Sequence, residues 1–244
     1  MKKNEKKRKF SFKKLIIVLT IILFCVLVFF WYKSLKITNV YVTGNKILKE
    51  SEILSLTNLL EYPKVYQVST RNIENELKKL DLINTVKVHK SLLGKVTIEI
   101  DENKVLYQKT NGKYVLSNNI ETDLTERPLG IPTLINECGD VCEKLNKKIV
   151  LIDEDILKHV SEIEYKKTDL DKERFMFYMV DGNYVYITLS KINLINSYNE
   201  IYPTLEDNKG ILYLDSGNHF EIKEKKEKKE KQEETVEVST NAEQ

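Results

Sequence analysis

The sequence predicts an α+β protein held at its N-terminus by a single transmembrane helix. Three patterns in its 244 residues carry that expectation. An uncharged apolar run occupies residues 15–32. Hydrophobic spacing then switches from strand-like to helical and back over residues 35–103. From 104 to 222, short alternating runs are separated by Asn-Gly, Asp-Gly and Ser-Gly turn signals.

The apolar run reads LIIVLTIILFCVLVFFWY, without charge, Pro or Gly. As a helix it spans roughly 27 Å, close to the hydrocarbon thickness of a bilayer. Fourteen of residues 15–30 are Leu, Ile, Val or Phe, which favours insertion by about 4 to 8 kcal/mol. Trp31 and Tyr32 close the run where an interfacial aromatic belt sits. A cleaved signal peptide needs a small-x-small site, and Trp31-Tyr32-Lys33-Ser34 offers none. Residues 1–14 form a basic arm, with eight Lys or Arg against Glu5. The positive-inside rule keeps that arm in the cytoplasm and puts the bulk of the chain outside. Past the anchor the chain is slightly acidic, which argues against nucleic acid; the basic arm suits anionic lipid.

The outer chain opens with a strand pattern at Ile37, Val40 and Val42, closed by Gly44-Asn45. Ile53, Leu56 and Leu60 predict a helix over 50–60, ended by Tyr62-Pro63. Thr70 offers an N-cap for a second helix carrying Ile73, Leu77 and Leu80 on one face. Two alternating strands follow: Val86 and Val88 opposite Lys87 and His89, then Val96, Ile98 and Ile100 opposite Thr97, Glu99 and Asp101. Leu92-Leu93-Gly94 turns between them.

This β-α-α-β-β order, directly outside one anchor, resembles a POTRA module. "ITNVYVTGNKILKESEIL" and "VSTRNIENELKKLDLINTVKVHKSLLGKVTIEIDENK" carry the likeness, and residues 35–103 bound it. With the arm and anchor in front, the chain resembles the FtsQ/DivIB family of bacterial cell-division proteins. That family commonly has Pro in the hairpin before the last strand; here Gly94 supplies the turn geometry.

Residues 104–222 predict a mainly antiparallel β domain with flanking helices. Val105–Gln108 and Tyr114–Leu116 flank Asn111-Gly112, and Ile120–Leu124 adds a third strand. Pro128 to Pro132 reads as a loop, and the segment after it as irregular. Ile156, Val160 and Ile163 suggest a short helix, with Asp153-Glu154-Asp155 at its positive end. Phe175–Val180 and Tyr184–Leu189 form a hairpin around Asp181-Gly182-Asn183. Ile192, Ile195, Tyr198, Ile201 and Leu205 mark a helix. Ile211–Leu214 and His219–Ile222 close the domain across Ser216-Gly217. The stretch from "RFMFYMVDGNYVYITL" to "ILYLDSGNHFEI" resembles the β domain that follows POTRA in the same family. Residues 223–244, mostly Lys and Glu, bury too little to offset ordering entropy and predict a disordered charged tail.

Little in the sequence points to catalysis. His89, His159 and His219 are dispersed. No nucleophile elbow, phosphate loop or metal motif is present. Glu162, Glu164, Asp169 and Asp171 read as a solvated face. The expectation is no enzyme, no cofactor and no metal. Cys25 lies in the anchor as a small hydrophobe; Cys138 and Cys142, four apart in an oxidising exterior, are candidates for a disulfide or for two free thiols.

Interaction remains. A sheet closing at 211–222 can offer an unpaired strand to a partner. The resemblance implies that this end recruits small bitopic division proteins, FtsB (DivIC) and FtsL. It puts the contact on Leu212, Tyr213, Leu214, His219, Phe220 and Ile222, unless these simply fill the core. The POTRA edge at 36–43 is a weaker site for another division protein or the septal peptidoglycan synthase machinery. The resulting expectation is a divisome scaffold, single-pass, enriched at the septum. A ligand-binding sensor and a cell-wall-modifying enzyme are the competing classes.

Overall fold

A computed structural model describes residues 12–205 and 208–223. The basic arm up to residue 11 and the tail from 224 lie outside the described residues, so those two expectations are not addressed by the fold. The chain divides after Glu102 into two compact units.

The first unit begins with α1, Phe12–Ser34, whose best window has a mean hydropathy of 3.0 and buries nothing within the protein. It is long and apolar enough to cross a membrane. Its one hydroxyl in mid-span, on Thr20, is satisfied by the Ile16 carbonyl at 2.6 Å, so no polar group is left for lipid.

After it come β1 (Asn39–Thr43), α2 (Glu50–Leu56), α3 (Thr70–Leu77), β2 (Ile83–Lys90) and β3 (Lys95–Glu102). The sheet order is β1-β3-β2, with β1 parallel and β2 antiparallel to β3. This is the expected β-α-α-β-β module. Val86, Val88, Val96, Ile98 and Ile100 are all buried, as are Ile53 on α2 and Ile73 and Leu77 on α3. The Glu102 carboxylate accepts from the backbone of Ile47 and Leu48, at 2.8 and 3.0 Å, and fixes the approach to α2. Two boundaries differ from expectation. The first helix stops at Leu56 rather than 60, where the Thr57 hydroxyl turns back onto Ile53. The second is capped by Ser69 and not Thr70: the Ser69 side chain accepts from Asn72 N. Gly94 has φ +90°, and a Cβ there would lie 2.4 Å from the Lys36 carbonyl. Only Gly fits both demands, so the missing Pro is replaced by a residue with its own reason.

The described residues of the second unit form one nine-stranded sheet. In chain order its elements are β4 (Val105–Lys109), β5 (Tyr114–Leu116), β6 (Glu121–Thr122), β7 (Thr133–Leu134), α4 (Val141–Ile149), α5 (Glu154–Leu157), β8 (Val160–Tyr165), β9 (Arg174–Met179), β10 (Tyr184–Thr188), a 3₁₀–α–3₁₀ run over 189–205 that contains α6 (Tyr198–Ile201), β11 (Gly210–Tyr213) and β12 (His219–Ile222). The sheet order is β12-β11-β10-β9-β8-β7-β4-β5-β6. One face is the core: Phe175, Phe177, Val185, Ile187 and Leu212 from the strands pack with Leu145, Ile149, Ile156, Ile192 and Ile195 from the helices.

Three readings change here. Val160 and Ile163 belong to strand β8, not to a helix, and only α5 before them is helical. A register shift between Val160 and Glu162 accounts for their spacing. The segment holding the cysteines is not irregular throughout, because Cys142 lies in the first turn of α4. The third strand shrinks to Glu121–Thr122. The acid cluster does stand where a helix begins, with Asp153 at the N-cap position of α5.

Candidate partner interface

Local sequence explains how the last hairpin is held. Gly210 opens β11, and its N–H donates to Asn183 Oδ1 at 3.0 Å. Asn183 is 1% exposed; its amide also donates to the Tyr198 hydroxyl, which in turn donates to Asp181 at 2.7 Å. Burial first, then the Asp181 bond, drives the Tyr198 pKa well above its ordinary value. This buried chain ties the β9–β10 turn, α6 and the start of β11 together. A Cβ on Gly210 would sit 2.1 Å from the Glu221 carbonyl and 2.8 Å from the Phe220 ring. Gly at 210 therefore lets β12 lie close and lets Phe220 fold over the backbone.

β12 pairs antiparallel with β11, Leu212 opposite Phe220 and Tyr213 opposite His219. It is the end of the sheet order, with no strand beyond it among the described residues. Lys223 N donates to the Lys209 carbonyl at 2.9 Å. Antiparallel alternation then turns the backbone groups of Glu221 and His219 toward β11 and those of Phe220 and Ile222 outward. Two residues thus present free N–H and C=O groups at an open border.

The six residues expected to meet a partner separate into three pairs. Leu212 and Leu214 are buried, at 4% and 3% exposure, and belong to the core. They cannot touch a partner and act only by holding the strand. Phe220 is half-buried against that core, and Ile222 is 56% exposed. Tyr213 and His219 lie on the opposite face, where the structure adds three residues that sequence reasoning did not single out.

Those three are Arg174, Tyr186 and Asp215. The Arg174 guanidinium lies 3.7 Å from the Tyr186 ring centroid. Tyr186 stacks on Tyr213 at 5.3 Å, and Tyr213 on His219 at 4.6 Å and 9° between planes. One column of flat groups therefore crosses β9, β10, β11 and β12. Arg174 also pairs with Asp215 in the β11–β12 turn at 2.5 Å, with both side chains largely buried. The Tyr213 hydroxyl donates to Glu221 at 3.1 Å; burial and that bond raise the Tyr213 pKa. Alternation against Val185 and Ile187 does mark Tyr184 and Tyr186 as outward-facing. What sequence withholds is that β10 and β11, separated by residues 189–209, lie side by side. On the same face Glu164 is not freely solvated: it takes bonds from Lys166 and the Tyr178 hydroxyl. Burial works against its charge, but those bonds win and hold the carboxyl below its ordinary range.

The first unit offers a second border. The outer side of β2 is partly closed, because Val88 N donates to the Glu74 carboxylate from α3 at 2.9 Å. The free side is β1, with Tyr41 exposed beneath Lys95. Elsewhere, Cys138 and Cys142 stand as a disulfide pair at the start of α4, their Cα atoms 5.2 Å apart, with Cys138 buried. Among the described residues no group of three His, Cys, Asp or Glu is placed to hold a metal.

Residues 35–103 match the sequence profile of a POTRA domain, FtsQ-type. The chain is 31% identical over 230 residues to the cell division protein DivIB of Listeria monocytogenes, across 91% of this chain and 85% of that one. It is 27% identical to DivIB of Brevibacillus brevis, across 87% and 85%, and 25% identical to DivIB of Bacillus subtilis, across 90% and 87%. Among solved structures, the major extracytoplasmic domain of the trans isomer of DivIB from Geobacillus stearothermophilus aligns with a TM-score of 0.36 at 22% identity, covering 44% of this chain and 98% of that chain.

Proposed function

The chain belongs to the DivIB family of bacterial cell-division proteins, and on that premise we propose that it is a non-enzymatic scaffold of the divisome. A role in cell division and a membrane-anchored form with an extracytoplasmic part follow from the family and from α1. The proposal adds the means. β12 captures FtsB/DivIC- and FtsL-like bitopic proteins outside the membrane, and the complex helps position septal peptidoglycan synthesis. The anchor confines both partners to one surface and so raises their effective concentration.

The observation that supports this reading best is the open border of β12, where Phe220 and Ile222 turn backbone donors and acceptors away from the sheet. A strand added there gains main-chain hydrogen bonds without rearranging the core.

Co-purification of the full-length protein from detergent with its bitopic partners tests it. Ile222→Pro removes one outward N–H at an exposed position and leaves every bond to β11 in place. Partner capture is expected to fall sharply while thermal unfolding is unchanged. Undiminished capture by this variant would refute the edge as the site. A fluorescent fusion should concentrate at the septum and disperse when the partners are depleted.

A further inference from the structure

The border that this reading assigns to the partner carries side chains as well as backbone, and they are not neutral. Resting on that assignment, we propose that β12 selects its partner by a four-residue code. The incoming strand runs antiparallel and reads, in order, apolar, basic, apolar, then aromatic or arginine. These positions lie opposite Ile222, Glu221, Phe220 and His219.

The two faces of the strand dictate the alternation. Phe220 packs on the core and Ile222 stands exposed beside it on the same face. A residue opposite either one continues the core past its present rim, so it must be apolar. His219 and Glu221 lie on the other face. The ring of His219 stacks on Tyr213, and no described ring or cation covers its far side. The column that starts at Arg174 therefore stops one layer short of the rim. Opposite His219, an antiparallel strand makes a non-hydrogen-bonded pair, the arrangement that brings side chains closest, with Cα atoms about 4.5 Å apart. A flat group fits that layer: an aromatic ring, or a guanidinium such as the one at the column's inner end.

Charge fixes the remaining position. Glu221 accepts one bond from Tyr213, and no cation among the described residues is paired with it. Lys or Arg across from it completes an ion pair, whereas an acidic residue meets like charge and is rejected. Antiparallel addition is favoured over parallel because its ladder is the more stable per residue.

The test uses the full-length protein in detergent micelles and fluorescein-labelled peptides, read by anisotropy. One peptide carries Val-Lys-Val-Tyr between Ser-Thr flanks. The others carry Val-Glu-Val-Tyr, Val-Lys-Val-Ser and the reversed Tyr-Val-Lys-Val. The first should bind tightest, each mismatch weakening it about two- to fivefold, the range for single cross-strand pairs. Glu221→Lys should invert the preference between Lys and Glu peptides. His219→Ser should erase the preference for Tyr over Ser and leave the charge preference standing. General loss of stability cannot produce either selective change. Equal affinity for all peptides, abolished by Ile222→Pro, overturns the code and keeps the edge. Preference for the reversed peptide overturns the direction and with it the code. Binding to none, or binding indifferent to Ile222→Pro, removes both the code and the edge reading beneath it.

Discussion

At the residue scale, stability in the second unit rests on polar groups buried with their partners. Tyr107 is 1% exposed, and its hydroxyl donates to Asn146 Oδ1 at 2.8 Å. Asn146 passes the chain on to Asn119. Tyr107→Phe leaves Asn146 with one acceptor unmet, which should cost about 1 to 3 kcal/mol in thermal or urea unfolding. The same hydroxyl sets an alkaline limit. Burial, with Glu121 adding to it and the Asn146 bond opposing, raises the Tyr107 pKa from 10.0 to about 12. A raised folded-state value means the folded form keeps its proton longer. Its contribution is complete below pH 10 and drains away between about 10 and 12. Unfolding midpoints followed by circular dichroism over that window should fall more steeply for the native chain than for Tyr107→Phe. Arg174→Met makes a separate point: it strips Asp215 of its ion-pair partner, leaving it the Ser216 hydroxyl, and Tyr186 of its cation. About 1 to 3 kcal/mol should be lost, and amide exchange in the 210–222 hairpin should quicken before the rest of the sheet.

Elements differ in how well the sequence foretold them, and the reasons are physical. Val96, Ile98 and Ile100 alternate with polar neighbours in a strand covered on one face, so period two announces β3 directly. Val160 and Ile163 follow Ile156 at helical intervals, yet a register shift puts both on the inner face of a strand. Spacing alone cannot separate those cases. In α4 the sequence does carry a helical signal: Val141, Leu145 and Ile149 recur every four residues after Gly139-Asp140. The outward Tyr residues could be assigned to a face, but the column they build could not. Its existence depends on β10 lying beside β11 across a long connection. Two expectations belong at this scale. Gly94→Ala should destabilise the first unit by about 1 to 3 kcal/mol, since it adds strain at positive φ to overlap with the Lys36 carbonyl. Cys138→Ser with Cys142→Ser should cost about 2 kcal/mol, the chain-entropy value for so short a loop. Alkylation with and without reductant, read by intact mass, reports whether the bond forms in the exported protein.

For the whole molecule, the proposed division of labour is between anchor and border. α1 fully buries none of its apolar side chains in the protein's interior. Its expected contribution is confinement, not folding. A soluble chain starting at residue 35 should therefore keep the unfolding transitions of both units. It should bind membrane-embedded partners about 10² to 10⁴-fold more weakly than the anchored form, as measured by capture on proteoliposomes. A fall in folding stability as well would assign the helix a structural role it does not have in this reading.

Among the described residues, β12 is the last strand of the sheet in chain order. Translation and export therefore deliver the border proposed to recruit a partner after every other described strand of the sheet. On that reading a nascent chain still threading through the membrane has no β12 edge to offer a partner, and one cut short before His219 never acquires it. If β12 recruits as proposed, the polypeptide's own direction of synthesis acts as a timer, and capture at this edge waits until that strand has emerged.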